Sequence, residues 1–156
     1  MAEKPKIADT CAPPRARVVH ADPKAAKTAE QQPMPDAFAE RGVDKKSPAE
    51  WMYDRIILYI RNFEGQLDAT HEIAMGFAGG DAGVLRIEGL GYFDPDIVTF
   101  YGRDEDGAKT QLIQHVAQVS VILRAVRKVK DDAPARRIGF QLTTGWDGGE
   151  SGDASV

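Results

Sequence analysis

The sequence of 156 residues contains a single cysteine, Cys11. One cysteine can form neither an internal disulfide framework nor a cysteine-based structural zinc site. The chain also lacks any run of about 18 apolar residues, so we expect no transmembrane helix. Lys4 and Lys6 are not followed by an apolar stretch, which argues against a secretory signal and predicts a cytoplasmic protein without a membrane partner.

Basic residues are not in excess either. The chain carries 20 Lys and Arg against 24 Asp and Glu, a formal net charge of −4. A protein that binds nucleic acid mainly through phosphate contacts is usually basic, so nucleic acid is not expected as a partner. The remaining composition, with 28% charged and 42% hydrophobic residues, is that of an ordinary globular protein.

Aromatic residues make up only 8% of the chain, and they are unevenly distributed. Residues 1–46 contain one aromatic residue, Phe38, and are rich in Ala and Pro. A segment with so few large apolar side chains buries too little surface to offset its chain entropy, which predicts a disordered arm. Residues 143–156 are rich in Gly and Ser and contain acidic but no basic residues, which predicts a flexible acidic tail. Residues 47–142 are predicted to form the folded domain.

The predicted domain begins with a strong helix start. Ser47 can cap the backbone N–H of Glu50, and Pro48 suits the first helical position because its missing N–H costs nothing there. The apolar residues that follow recur at helical spacing, and Gly65 indicates the end of the helix.

Three strands, a second helix and a final strand are predicted after this helix. The strands are predicted over His71–Phe77, Val84–Phe93 and Ile97–Tyr101. Apolar residues spaced by three and four predict a helix over Thr110–Lys130, and alternation predicts a strand over Arg136–Leu142. The α-β-β-β-α-β order predicts an α+β two-layer sandwich, with a mainly antiparallel sheet and two helices on one face.

Five acidic residues lie in the predicted connections at strand ends: Asp94, Asp96, Asp104, Glu105 and Asp106. Clustered carboxylates could bind Mg²⁺ or Ca²⁺, which prefer oxygen ligands. Asp-Pro-Asp and Asp-Glu-Asp-Gly are also common turn formers, and turn chemistry alone explains these residues. Asp94, Asp96, Asp104 and Asp106 are therefore candidate metal ligands, with turn formation as the alternative.

No catalytic constellation accompanies these carboxylates. The predicted element order also describes the core of the PD-(D/E)xK nucleases, but residues 47–142 contain no Asp or Glu two positions before a Lys. His71 and His115 have no further ligands at suitable spacing, which predicts structural roles. We therefore expect no cofactor and a function other than catalysis. The alternative is a metal-dependent, nuclease-like hydrolase that uses the loop aspartates.

The first helix has more apolar surface than one sheet contact should cover. Trp51, Ile57 and Leu58 widen its apolar face beyond a single core-facing stripe. A surplus apolar face usually marks a protein-binding surface, and homodimerisation is the simplest case. Trp146 stands in an otherwise polar tail, where it either anchors a partner or folds back on the domain.

The stretch GFAGGDAGVLRIEGLGYFDPDIVTFYGRDEDGAKTQLIQH, within Trp51–Leu142, resembles a small bacterial family of uncharacterised proteins. The resemblance covers most of the predicted domain and neither tail, and it implies no activity and no site residue. A fold-level analogy extends to type III secretion chaperones, which are small, acidic, dimeric α+β proteins that bind unfolded segments. Together with the missing catalytic constellation, these observations predict a non-enzymatic, cytoplasmic, homodimeric protein-interaction or chaperone-like module.

Overall fold

The computed structural model describes residues 16–32, 46–78 and 83–142. The domain is α+β, as the sequence predicts: one long helix precedes five antiparallel strands, and a short helix follows them. Most of the predicted arm and the whole predicted tail, including Trp146, lie outside the described residues. In the part of the chain that is described, no helix is both long and apolar enough to cross a bilayer.

Helix α1 spans Pro48–Glu64 and confirms the predicted helix start. The Ser47 hydroxyl oxygen accepts the backbone N–H of Glu50 at 3.1 Å, and Pro48 occupies the first turn. The helix ends at Gly65, whose N–H is bonded to the carbonyl of Arg61. Local capping chemistry therefore marks both ends of α1, and the bond from the Ala49 N–H to the Pro95 carbonyl at 3.0 Å adds a tertiary contact at its start.

The sheet contains five strands in the order β4-β3-β2-β1-β5, with antiparallel pairing throughout. Their bounds are His71–Phe77 for β1, Val84–Phe93 for β2, Ile97–Arg103 for β3, Lys109–His115 for β4 and Val121–Arg127 for β5. The first two predicted strands are confirmed with the same bounds, and the third extends two residues further than predicted.

The sheet is strongly curled. β4 and β5 lie at opposite edges and run in the same direction, so their connection must travel the length of the sheet and across its width. In a flat five-stranded sheet this diagonal would measure roughly 28 Å. The six Cα–Cα steps from His115 to Val121 reach at most about 21 Å, so the edges must curl towards each other.

The core lies between the concave face of the sheet and α1. Its buried members come from α1, from the first three strands and from the C-terminal segment: Ala49, Ile56, Ile60, Ile73, Met75, Leu85, Ile87, Val98, Phe100 and Ile138. The rings of Phe77 and Phe100 meet edge to face at 4.9 Å on this side of the sheet. Side chains at alternate strand positions therefore point away from α1, onto an outer face.

The predicted second helix over Thr110–Lys130 is wrong. This stretch forms β4, a 3-10 turn over Val116–Gln118 and β5. Leu112, Val116, Val119 and Leu123 do pack against the core, as their spacing suggests. Leu112 belongs to β4, Leu123 belongs to β5, and Val116 and Val119 belong to the connection between them, so side chains of separate elements together imitate a helical period. The many β-branched residues in this stretch favour strands.

The predicted final strand over Arg136–Leu142 is also wrong. The chain runs without regular structure to Ile138 and then forms a short helix, α2, over Gly139–Leu142. This segment crosses the gap between β1 and β2, which pair only at Met75↔Leu85 and Gly76↔Val84. The Arg136 guanidinium donates to the carbonyl of Ile87 at 2.5 Å inside that gap. The observed order is therefore α-β-β-β-β-β-α.

Part of the predicted arm contacts α1. Residues Ala29–Gln31 form a 3-10 turn, the Tyr59 hydroxyl donates to the Glu30 carboxylate, and the Gln32 amide donates to Asn62. The bond from Tyr59 lowers the pKa of Glu30 and raises the pKa of Tyr59, because it joins the phenol to the carboxylate. The division into arm, domain and tail stays a prediction.

Candidate interaction surface

The four loop aspartates lie at two opposite ends of β3. Asp94 and Asp96 belong to the turn between β2 and β3, whereas Asp104 and Asp106 belong to the connection between β3 and β4. A strand of seven residues is about 20 Å long. The four carboxylates therefore cannot share one cation. Nor do the described residues contain any group of three or more His, Cys, Asp or Glu residues placed to hold a metal ion.

Two of these carboxylates accept hydrogen bonds that hold the connections of β3 in place. Asp94 accepts the Ser47 hydroxyl at 2.5 Å, which ties the start of α1 to the β2–β3 turn. Asp104 Oδ1 accepts the backbone N–H groups of Asp106 and Ala108 at 2.9 and 2.8 Å. The bonds of Asp104 are those of a turn-forming aspartate, whereas Asp94 bonds to a side chain at the start of α1, so turn formation accounts directly for Asp104.

The two histidines of the folded region make local bonds. His115 Nδ1 accepts the N–H of Ala117 and caps the 3-10 turn, so its proton is on Nε2, which lies 3.2 Å from Asp96 Oδ2. His71 Nδ1 lies 2.8 Å from Asp68 Oδ1, which also accepts from Thr70. The Thr70 hydroxyl, followed by His71, lowers the pKa of Asp68 well below its usual range. Both arrangements stabilise turns.

The helix residues predicted to bind a partner are largely covered within the chain. Ile57 is fully buried, Trp51 is 9% exposed and Leu58 is half-buried. The Trp51 ring has Lys46 Nζ 4.6 Å from its centroid and the Arg55 guanidinium at 4.9 Å. Partner binding by Trp51, Ile57, Leu58 and Trp146 stays a prediction, and more exposed large apolar side chains lie on the sheet.

Three large apolar side chains stand exposed on the part of the outer face that β2, β3 and β4 form. Phe93 on β2 is 75% exposed, Tyr101 on β3 is 41% exposed and Ile113 on β4 is 62% exposed. The pairing register places them at successive outward positions along the sheet. Phe93 pairs with Ile97, Ile113 pairs with Thr99, and Tyr101 is the next outward residue of β3. Alternation puts Ile97, Thr99 and Tyr101 on one face, opposite to the buried Val98 and Phe100. Phe93, Tyr101 and Ile113 are called the outer patch below.

Two glycines of β2, Gly89 and Gly91, leave the surface beside the outer patch without side chains. The Tyr101 ring lies against Gly89, where a Cβ atom would come within 3.6 Å of the ring. At Gly91 a Cβ atom would come within 2.6 Å of the Thr99 hydroxyl. The absence of side chains at these two positions leaves the outer patch open to contact.

The outer patch borders a free sheet edge. Among the described residues, none pairs with β4 on the side away from β3. The strand carries one full charge, Lys109, at its first position. A long edge strand with few charges is a ready template for pairing with another chain. The other free edge, β5, carries Arg124 in its centre and Arg127 at its end, and such charges discourage pairing.

Sequence reasoning missed the outer patch because it assigned Ile113 to a helix. The signal that could have found it is the alternation of Lys109, Gln111 and Ile113 with Thr110 and Leu112, which is typical of a half-buried strand. Phe93 and Tyr101 stood in correctly predicted strands, but only the pairing register shows that they share a face with Ile113.

Comparisons with known proteins give one match. The model of a family described as "Family of unknown function (DUF6173)" matches residues 42–141, which is more than half of the chain. The match confirms the resemblance to an uncharacterised family, while a bacterial origin stays a prediction. No curated protein and no solved structure matches the chain.

Proposed function

The chain belongs to DUF6173, a family of unknown function, and we propose from its geometry that it is a non-enzymatic protein-interaction module that forms a homodimer through β4. The observation that carries this proposal is the outer patch beside a free strand edge. Exposed aromatic and aliphatic side chains grouped next to unpaired backbone groups are typical of protein-binding surfaces.

A symmetric antiparallel pair of β4 strands would give the unpaired backbone groups of this edge their hydrogen-bond partners and would cover part of the outer patch. With Leu112 at the twofold axis, Ile113 of each copy lies opposite Gln111 of the second copy, and Lys109 lies opposite His115. The two sheets then form one continuous sheet, and the two outer patches approach each other across the new strand pair. Backbone hydrogen bonds and apolar burial both contribute to such an assembly.

Charge favours this pairing over the corresponding pairing of β5. A symmetric β5 pair would place Arg124 opposite Arg124 of the second copy, because Arg124 is the central residue of Val121–Arg127. Like charges directly opposite each other destabilise a strand pair. A hydrolase that uses the loop aspartates is not part of the proposal, since those aspartates stand at opposite ends of β3.

The test is the mass of the protein in solution. We expect sedimentation equilibrium at micromolar concentration to give about 34 kDa, twice the chain mass of 17.0 kDa. Ile113→Glu places a charge in the proposed interface and should give the monomer mass. Val19→Glu is the matched control, because Val19 is 77% exposed and lies outside the sheet, and it should leave the dimer unchanged.

A second variant identifies the strand that pairs with β4. Ile122→Glu changes an exposed residue of β5 and should leave the dimer intact. If Ile122→Glu and Ile113→Glu both abolish assembly, β4 of one copy pairs with β5 of the next, and the symmetric dimer is wrong. A monomeric wild-type protein at these concentrations would refute self-association altogether.

A further inference from the structure

A shallow pocket of about 250 Å³ lies on the outer face of the other half of the sheet. Its aliphatic lining comes from β1, β2, β5 and the second residue after β5. These residues are Ala74, Val84, Val126 and Val129. Arg86, Asp104 and Glu105 complete the lining. At about 30 Å³ per water molecule, the pocket has room for roughly eight waters, enough for one long side chain.

The positive charge of the pocket is already neutralised. Arg86 Nη1 donates to Glu72 Oε2 at 2.8 Å, and Nη2 donates to the carbonyl of Arg127 at 3.1 Å. Both partners of this ion pair are largely buried, with side-chain exposures of 29% for Arg86 and 13% for Glu72. Arg86 therefore closes one wall of the pocket, and its charge is balanced by a carboxylate of the same domain.

The negative charges of the pocket are not balanced in this way. Among the described residues, no donor bonds to either carboxylate oxygen of Glu105 or to Asp104 Oδ2. Asp104 is held rigidly, because its Oδ1 atom anchors the β3–β4 connection. Glu105 lies beside Gly83, where an added Cβ atom would come within 3.1 Å of Glu105 Oε1. One fixed carboxylate, Asp104, and one exposed carboxylate, Glu105, thus line an otherwise largely aliphatic pocket.

We propose that this pocket binds a lysine side chain of a partner protein. A lysine has an aliphatic four-carbon stem and a compact ammonium group with three N–H donors. The stem complements Val84, Val126 and Val129, and the ammonium complements Asp104 and Glu105. Hydrogen bonds between an ammonium and a carboxylate are stronger than neutral ones, so they determine which side chain is accepted.

The proposal is independent of the β4 dimer. The aliphatic wall of the pocket comes from β1, β2, β5 and Val129, and its carboxylates come from the β3–β4 connection, whereas the dimer surface consists of the outer patch and the β4 edge. A protein that is monomeric in solution could still bind lysine here, and a dimer could fail to bind it. Either proposal can therefore be refuted while the other stands.

The test is an NMR titration of the full chain with Nα-acetyl-lysine methylamide, in which the valine and isoleucine methyl signals are followed. We expect shifts at Val84, Val126 and Val129 and none at Ile113. The Nε-acetyl-lysine and norleucine analogues keep the stem but lose the charge, and they should bind at least about tenfold more weakly. Equal binding of the three compounds would refute recognition of the ammonium. n-Butylammonium binding more tightly than the blocked lysine would refute a protein partner in favour of a free amine.

Matched variants in one connection locate the charge that matters. Glu105→Gln removes an exposed carboxylate that lines the pocket, and it should weaken lysine binding about tenfold. Asp106→Asn removes the same charge from the next residue, which is exposed and does not line the pocket, and it should leave binding unchanged. Equal losses in the two variants would show a general effect of net charge and overturn the site.

Discussion

The buried carboxylate of Glu64 accepts the backbone N–H of Gly139 at 2.6 Å, 75 residues further along the chain. Its other oxygen accepts the N–H of Ile138 at 2.9 Å. One side chain at the end of α1 thereby holds the start of α2, where backbone N–H groups have no partner within the helix. The attachment of the C-terminal segment to the core depends on this residue.

Glu64→Gln should destabilise the protein by about 1–3 kcal/mol. The amide keeps one acceptor oxygen, but its NH₂ group then faces a second N–H donor, which is left unsatisfied in a buried place. Urea unfolding followed by circular dichroism measures the loss. Glu88→Gln is the control, because Glu88 pairs with Arg103 on the exposed face, and it should cost less than about 1 kcal/mol. Equal effects of the two substitutions would contradict this role of Glu64.

Gly102→Ala should disrupt the pairing of β2 and β3. A Cβ atom at this buried position would lie 2.3 Å from the Arg86 carbonyl oxygen and 3.2 Å from Ile87 Cα, and both atoms are backbone. The strands must separate to admit it, so we expect a loss of about 3 kcal/mol, at the upper end for overpacking. Gly89→Ala meets only ring and side-chain atoms of Tyr101 at 3.6 Å or more, and it should change the urea midpoint little. Near-normal stability of Gly102→Ala would show that this strand pair is more adaptable than its geometry indicates.

Lys46→Met should cost about 3–5 kcal/mol, because it breaks a buried ion pair and leaves the charge of its partner behind. Lys46 Nζ lies 2.6 Å from Asp54 Oδ2, and the two side chains are 2% and 7% exposed. The Arg103→Met control breaks a half-exposed pair with Glu88 and should cost less than about 1 kcal/mol. Denaturant unfolding at pH 7 compares the two, and a cost below about 1 kcal/mol for Lys46→Met would contradict a buried ion pair.

Asp68 should make stability depend on acid pH. Its pKa in the folded protein is lowered, first by the Thr70 hydroxyl and then by His71. A carboxyl with a lowered folded-state pKa contributes stability above its unfolded value of about 3.9, and that contribution is lost as the pH falls through the folded value. The stability difference between wild type and Asp68→Asn should therefore be largest above about pH 5 and shrink towards pH 2.

Unfolding midpoints in urea between pH 2 and pH 7 measure this difference. Thr70→Val removes the largest cause of the shift and should reproduce most of the effect of Asp68→Asn. A stability difference that stays constant over the whole pH range would show that Asp68 acts only through neutral hydrogen bonds.

Elements with local signals were predictable from the sequence. Ser47, Pro48 and Gly65 mark the ends of α1 through capping chemistry that involves only neighbouring residues. β1 and β2 alternate inward and outward residues between turn-forming connections, and their predicted bounds match the structure. Such signals act over a few residues, so they do not depend on how the rest of the chain folds.

The stretch after β3 was not predictable in the same way. Its apolar spacing fits a helix, yet Leu112 and Leu123 reach the core from two strands at opposite edges of the sheet. Whether this stretch forms a helix or strands depends on a partner strand for β5. That partner is β1, which lies about 50 residues earlier in the chain. Pairing energy from so distant a segment leaves no trace in a local window.

The amino-acid sequence by itself determined the α+β class, the first helix and the first three strands, because caps, turns and alternation are local properties. Tertiary structure alone decided that Ile57 is buried and that Phe93, Tyr101 and Ile113 share one open face. Those relationships depend on strand register and sheet curl, through which residues far apart in the chain compete for the same core.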